Sequence, residues 1–243
     1  QPFGPSARLR SFQAWGVKAD RRVERAYYDR DLNAADAIVA LHEDGVQVTR
    51  IQRALSMGMF GIGSRRKLVP TRWSITAVDS TVSERKLDEV KRLPTIDDFR
   101  VHTYQYIDNR YIVMLMPEKW RYESIEAWFP GTAWNESGAS PAIMGDHEGY
   151  QGRTTYASIG GCYYACRLAI AEHLLRERRQ SAALVLREIH SGYILPVGVW
   201  NVRESVRAAL TKNPTRFDNF HSALRFALAQ LSKPRKAWLQ SSH

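Results

Sequence analysis

Cysteine is nearly absent, with Cys162 and Cys166 the two thiols in a chain of 243 residues. Two thiols cannot build a disulfide framework, which excludes a small extracellular knot and favours a reducing, cytoplasmic setting. Long apolar runs are missing too. The longest, roughly Tyr111 to Met116, falls far short of the ~20 residues that span a bilayer, so no membrane partner is expected. Lysine is scarce beside arginine, 8 against 27. No repeat with a period of about 20–50 residues occurs, so a solenoid is not expected. There is no initiator methionine and no signal-peptide pattern. The chain opens Gln1-Pro2-Phe3-Gly4-Pro5 and reads as an internal piece of a longer protein.

What is present is ordinary globular material. Hydrophobic residues make up 44% and aromatics 11%, enough apolar surface to offset chain entropy. The charge is not balanced: 35 cations face 25 carboxylates, a net +10. Most of those cations are arginine, the planar, bidentate partner of phosphate and carboxylate. Such a balance points to a polyanionic partner, with nucleic acid the commonest; the alternative is a solvated arginine-rich surface.

Periodicity and turn signals predict an α+β protein, an antiparallel sheet with several packed helices. Residues 1–93 read as a mostly helical part, 94–231 as a sheet-plus-helix part continuous with it, and 232–243 as a basic tail. Residues 1–16 form an irregular leading segment. Asp31 reads as the cap of a helix over 32–42, and a second helix follows over 48–57. The alternation from Thr71 to Asp79 predicts a strand, and Asp79-Ser80-Thr81 a cap for a helix reaching 93. Residues 99–107 and 111–116 predict a hairpin around Asp108-Asn109-Arg110, with a third strand over 122–129. Residues 130–153, rich in Gly, Ser, Pro and Asn, read as a long loop. Further on come a helix over 155–176, a buried strand over 182–189, a turn over 192–199 and helices over 202–210 and 218–231.

The clearest chemical feature is the run Gly58-Met59-Phe60-Gly61-Ile62-Gly63-Ser64, followed by four cations within eight residues: Arg65, Arg66, Lys67 and Arg72. Glycines let backbone N–H groups approach a phosphate, and the cations neutralise it. No Gly-Lys-Ser/Thr follows, so this is not a Walker A loop, and the glycine order does not fit a dinucleotide fingerprint. Beside it, Trp73 and Asp79 stand at either end of the expected strand. Asp79 is a candidate metal ligand or general base, or simply a helix cap.

Asp146-His147-Glu148 offers three metal-ligand types in a row, but no second cluster at zinc spacing accompanies it, and no metal site is assigned. Cys162 and Cys166 share a helix face and read as packing residues. Arg167, two turns into that helix, reaches toward a pocket. Arg187 and Glu188 on a short buried strand are costly unless paired, so a structural Arg–Glu network is expected there. Taken together, Asp79, Glu148 and Glu188 are the candidate catalytic carboxylates. Arg65, Arg66, Lys67, Arg72, Trp73, Arg153, Arg167 and Arg187 are the candidate nucleic-acid or phosphate-binding residues. No cofactor is identifiable.

Several segments resemble the archaeal Nre family of DNA repair proteins. They are Phe3 to Ser6, Gly152-Arg153, Tyr156-Ala157, Arg187-Glu188-Ile189, and above all the block from Arg66 to Ala77. Gly160 to Ala165 and Gly198-Val199-Trp200-x-Val202-Arg203-Glu204 belong with them. The resemblance implies a role in repairing damaged DNA together with the replication sliding clamp. In that family a peptide Gln-x-x-apolar-x-x-aromatic-aromatic at the extreme C-terminus docks on the clamp. This chain ends Trp238-Leu239-Gln240-Ser241-Ser242-His243 without a complete match, and Gln52-x-x-Leu55, the nearest, lacks both aromatics. The family's Cys-rich leading segment has no counterpart here, and the resemblance supplies no catalytic residue. Enzymatic action on nucleic acid or a phosphorylated small molecule is the alternative, if the charged candidates share one pocket.

Overall fold

A computed structural model of the chain describes residues 20–194, 198–232 and 238. Six strands form one sheet in the order β4-β3-β5-β2-β1-β6, with β1 Phe99–Tyr106, β2 Asn109–Met116, β3 Tyr122–Trp128, β4 Ala142–Glu148, β5 Ala182–Ile189 and β6 Thr215–Phe217. Every pairing is antiparallel except β3 with β5. That one parallel pair follows from the long crossover between them, which carries β4 and a helix. The helices are α1 Arg21–Tyr28, α2 Ala34–Glu43, α3 Val48–Ser56, α4 Thr71–Val90, α5 Gly161–Glu177, α6 Val199–Leu210 and α7 Phe220–Ala229. The α+β expectation therefore holds.

Strand alternation sorts the core. Tyr111, Val113 and Leu115 of β2 face α5 and α6, where Ala165, Ile170 and Val206 pack on them. Ile112, Met114 and Met116 face the other way, onto Ala223, Leu224 and Ala227 of α7. A strand covered on both faces is apolar throughout, which is why β2 reads as an unbroken hydrophobic run. A third cluster joins α2 and α3 to Val78 and Val82 of α4 and Leu168 of α5. The hairpin turns at Ile107-Asp108, both at positive φ, so Asn109 already belongs to β2.

Four local expectations need correction. Residues 71–79 are the first half of α4, not a strand. The alternating stretch is too short to separate a period of 2 from one of 3.6, and Ser74, Val78 and Val82 recur at helical spacing on the buried face. Asp79 is consequently mid-helix rather than at a strand end or cap. Helix α2 is capped by Asn33, whose side chain accepts from the Asp36 N–H, not by Asp31. The expected loop 130–153 contains edge strand β4, and the helix expected from 155 starts at Gly161. The short elements α1 and β6 carried no recognised signal. The leading segment 1–16 and all of the tail but Ser232 and Trp238 lie outside the described residues.

Among the described residues no helix is long and apolar enough to cross a membrane.

Candidate nucleic-acid interface

The chain leaves α3 at Ser56 and returns to start α4 at Thr71. Gly58 makes this loop possible. It has φ +71°, and a Cβ there would lie 2.9 Å from the Lys67 carbonyl oxygen. Only a residue without a side chain lets the returning backbone pass so close. The Ser56 hydroxyl donates to the Val69 carbonyl at 2.7 Å, and the Val69 N–H donates to the Ser56 carbonyl at 3.0 Å.

The cations of this segment differ in state. The Arg66 guanidinium donates to the carbonyls of Gly61, Tyr27 and Asp29 at 2.7, 2.5 and 2.7 Å, and lies 5.0 Å over the Tyr27 ring. It fastens the loop to the end of α1. Arg65, Lys67 and Arg72 are exposed and have no carboxylate partner among the described residues.

Helices α4, α5 and α6 run in the same direction from a shared end. A Cβ on Gly161 would lie 2.9 Å from Val199 Cγ1 and 3.0 Å from Thr76 Oγ1, so the glycine sets how closely the three helices approach. One turn in, Arg203 of α6 grips both oxygens of Asp79 of α4, at 2.7 and 2.9 Å. Further along, Arg167 of α5 donates to Ser83 of α4 and Arg207 of α6 to Glu172 of α5. The three N-caps, Pro70, Gly160 and Gly198, make no side-chain capping bond. The starts of α5 and α6 thus lie beside Thr76, one turn after Arg72 on α4, and positive potential at helix starts favours an anion. Trp73, Tyr156 and Trp200 stand at this end, 52%, 56% and 46% exposed.

The other buried charges among the described residues lie in separate networks. Glu148 accepts from Trp120 Nε1, the Tyr163 hydroxyl and Arg167, at 3.1, 3.1 and 2.8 Å. Arg167 also reaches Ser80 and Glu84. Arg153 pairs with Asp146 at 2.9 Å and lies 4.8 Å over the Tyr163 ring. Burial alone would raise the Asp146 carboxyl, but Arg153 and the N–H groups of Ser158 and His147 hold it well below the usual range.

Arg187 donates to Glu126 at 2.7 Å and to Asn109 Oδ1 at 2.7 Å, beneath the rings of Tyr111, Trp128 and Tyr193. Glu188, next in sequence, points to the opposite face of the sheet. There it accepts the Ser232 N–H at 2.9 Å and contacts His190. The expected ionic network on β5 is present, but Arg187's partner is Glu126.

The three candidate catalytic carboxylates do not converge. Asp79, held by Arg203 and Gln52, lies between α3, α4 and α6; Glu148 lies between β4 and α5; Glu188 is under the end of α7. Burial raises the Asp79 carboxyl to about 6 against the pull of Arg203. The run Asp146-His147-Glu148 is also split, since strand alternation puts His147 on the face opposite its neighbours. His147 lines a cavity of about 290 Å³ between the sheet and α7, with Met114, Leu184, Leu224 and Trp238. Among the described residues no group of three His, Cys, Asp or Glu could hold a metal ion. Burial raises both thiols, Cys166 to about 12, so they pack as neutral groups. Gln52 is buried in α3 with its amide on Asp79, so Gln52-x-x-Leu55 cannot extend into a partner's groove.

Sequence reasoning did not single out Glu126, whose lone charge in the run Ile125 to Trp128 was a signal that a buried cation faces it. It also passed over Tyr156 as a surface group; an aromatic just ahead of a Gly-Gly helix start was the available cue.

Comparison with known proteins bears on the whole chain. Residues 1–135 match the family model described as archaeal Nre, N-terminal, and 148–243 match archaeal Nre, C-terminal. DNA repair protein NreB of Archaeoglobus fulgidus is 44% identical over 242 residues, 99% of this chain and 61% of its own length. DNA repair protein NreA of Haloferax volcanii is 39% identical over 227 residues, 92% of this chain and 54% of its own length. NreA of Archaeoglobus fulgidus is 37% identical over 239 residues, 98% of this chain and 60% of its own length. The chain therefore spans less than two thirds of these curated relatives. No solved structure matches it. With both family models matched and 44% identity across nearly its full length, the chain belongs to the archaeal Nre family.

Proposed function

We propose that this chain is the DNA-binding core of a DNA repair protein. Contact is made by Arg65 and Lys67 in the loop between α3 and α4 and by Arg72 on the first turn of α4. The observation that carries this is the set of exposed cations without carboxylate partners among the described residues, on the loop that leads into α4 and on its first turn. A surface that needs these charges only for solubility would pair or scatter them; here they lie within eight residues. The printed names of the relatives, all DNA repair proteins, support the same reading. Binding is better supported than catalysis, because each candidate carboxylate is already engaged by a cation or a backbone N–H.

The test is titration of fluorescent DNA with the wild type and an Arg65→Glu, Lys67→Glu, Arg72→Glu variant at low salt. Arg66 is left intact because it fastens the loop. A loss of affinity of tenfold or more is expected, and unchanged affinity would sink the proposal.

Action with the replication sliding clamp is the second part of the proposal, resting on the family resemblance. A pull-down of the clamp by this chain, with and without the residues that follow α7, tests it. Loss of capture on truncation is expected; capture by the truncated protein would place the contact elsewhere.

A further inference from the structure

Three aromatic side chains at the shared helix end are not used by the core. Trp73 lies on the first turn of α4, Tyr156 just before α5 and Trp200 on the first turn of α6. About half of each is exposed. Trp120 and Trp128, by contrast, are buried and donate to Glu148 and Glu126, while Tyr28 and Trp134 are exposed on other parts of the surface. Trp73 and Tyr156 lie side by side, and leaving neighbouring rings half exposed forgoes apolar burial, as at interaction sites.

The rings are also held in place. Trp73 and Tyr156 have centroids 6.1 Å apart, tilted by 39°. Tyr156 stacks at 5.6 Å and 37° on Tyr164, which is buried. Tyr164 in turn lies 5.1 Å beneath the Arg167 guanidinium, itself locked on Glu148. The ladder thus runs from a solvent-facing indole to a fixed ion pair in the core. Trp200 follows Val199, which touches the Gly161 position from the other side. Exposed, supported rings beside unpaired cations have the make-up of a base-stacking platform, in which rings take the base and cations take the phosphate.

We propose that Trp73, Tyr156 and Trp200 stack an unpaired nucleobase, so that the ligand of this site is single-stranded or locally opened DNA rather than intact duplex. The inference rests on the DNA-binding reading above and narrows it. In a duplex the base faces are covered by their neighbours, and only an unpaired or flipped base offers a face to a tryptophan. Arg72, adjacent to Trp73, is placed for the phosphate of the stacked nucleotide.

The test compares three fluorescent ligands on the full chain: a single strand, the same strand as duplex, and a strand of equal length whose central nucleotides are abasic. The variants are a Trp73→Ala, Tyr156→Ala double substitution and Trp73→Phe, with far-ultraviolet circular dichroism to verify folding. The wild type should bind the base-bearing single strand about tenfold more tightly than the abasic strand. The double variant should lose that preference while keeping its affinity for the abasic strand, and Trp73→Phe should largely retain it. Equal wild-type affinity for base-bearing and abasic strands overturns the platform. So does a preference that survives the double substitution. If binding is equal across ligands but abolished by the Arg65, Lys67 and Arg72 charge reversals, DNA binding stands and only the platform falls. Absence of binding to any ligand removes both.

Discussion

Arg167, Arg187 and Arg203 carry full charges in places water hardly reaches, and each resolves the problem differently. Arg203 takes both oxygens of one carboxylate. Arg167 spreads its donors over Glu148, Ser83, Ser80 and Glu84. Arg187 uses a carboxylate, an amide and three ring faces. Removing one member of such a pair leaves an unpaired buried charge, a loss of about 3–5 kcal/mol. That these charges need partners was legible in the sequence, because Arg and Glu interrupt apolar runs. Which partner each takes was not. Neighbours on a strand face opposite ways, so Arg187 and Glu188 cannot pair, and Arg187 finds Glu126 across 61 residues instead. A second residue-level consequence concerns pH. His173 is buried beside His102, and burial lowers it to about 4 despite the pull of Glu177. Its folded value lies below its unfolded 6.5, so between pH 6.5 and pH 4 the unfolded chain binds the extra proton. The contribution of this group is therefore full above pH 6.5 and is lost toward pH 4. Asp79, raised to about 6, works in the opposite direction below pH 6, so the histidine is read as a difference: between pH 6.5 and pH 4 the urea midpoint should fall further in the wild type than in His173→Gln. An equal change in the two proteins would contradict the assignment.

Among the elements, α4 shows how far pattern reading reaches. Its residues Trp73 to Val78 have strand-like composition and alternate over a short window. They are helical because α4 packs along α5 and α3, and tertiary burial overrides local preference. Strands β1, β2, β3 and β5 were legible because their runs are bounded by turn residues. Strand β4 was not, since Ala142 to Glu148 is a half-exposed edge that carries Gly145 and two carboxylates. The three-helix start was legible only as separate glycine and aromatic motifs. Their convergence depends on Gly161 allowing α5 against α4 and α6. Gly161→Ala places a methyl 2.9 Å from Val199 Cγ1 and 3.0 Å from Thr76 Oγ1, so these side chains must turn or the helices must separate. We expect a loss of about 1–3 kcal/mol in chemical denaturation, as for other overpacked contacts, with weaker DNA binding in parallel. Wild-type stability in that variant would show that the helix spacing has slack.

For the whole molecule, the net +10 separates into two populations. The buried arginines are neutralised inside the fold and add little to the field that a ligand meets. The exposed cations Arg65, Lys67 and Arg72 have no carboxylate partner among the described residues, and Arg72 stands on the first turn of α4. Composition alone could not distinguish these populations, because pairing is a property of the folded chain. The most direct test of a DNA-binding end is the salt dependence of affinity. Each phosphate contact contributes about 0.9 to the slope of log affinity against log salt on duplex DNA and about 0.7 on a single strand. The Arg65→Glu, Lys67→Glu, Arg72→Glu variant should lose about two units of that slope relative to the wild type. An identical slope in the two proteins would contradict the placement of the DNA contact at this end.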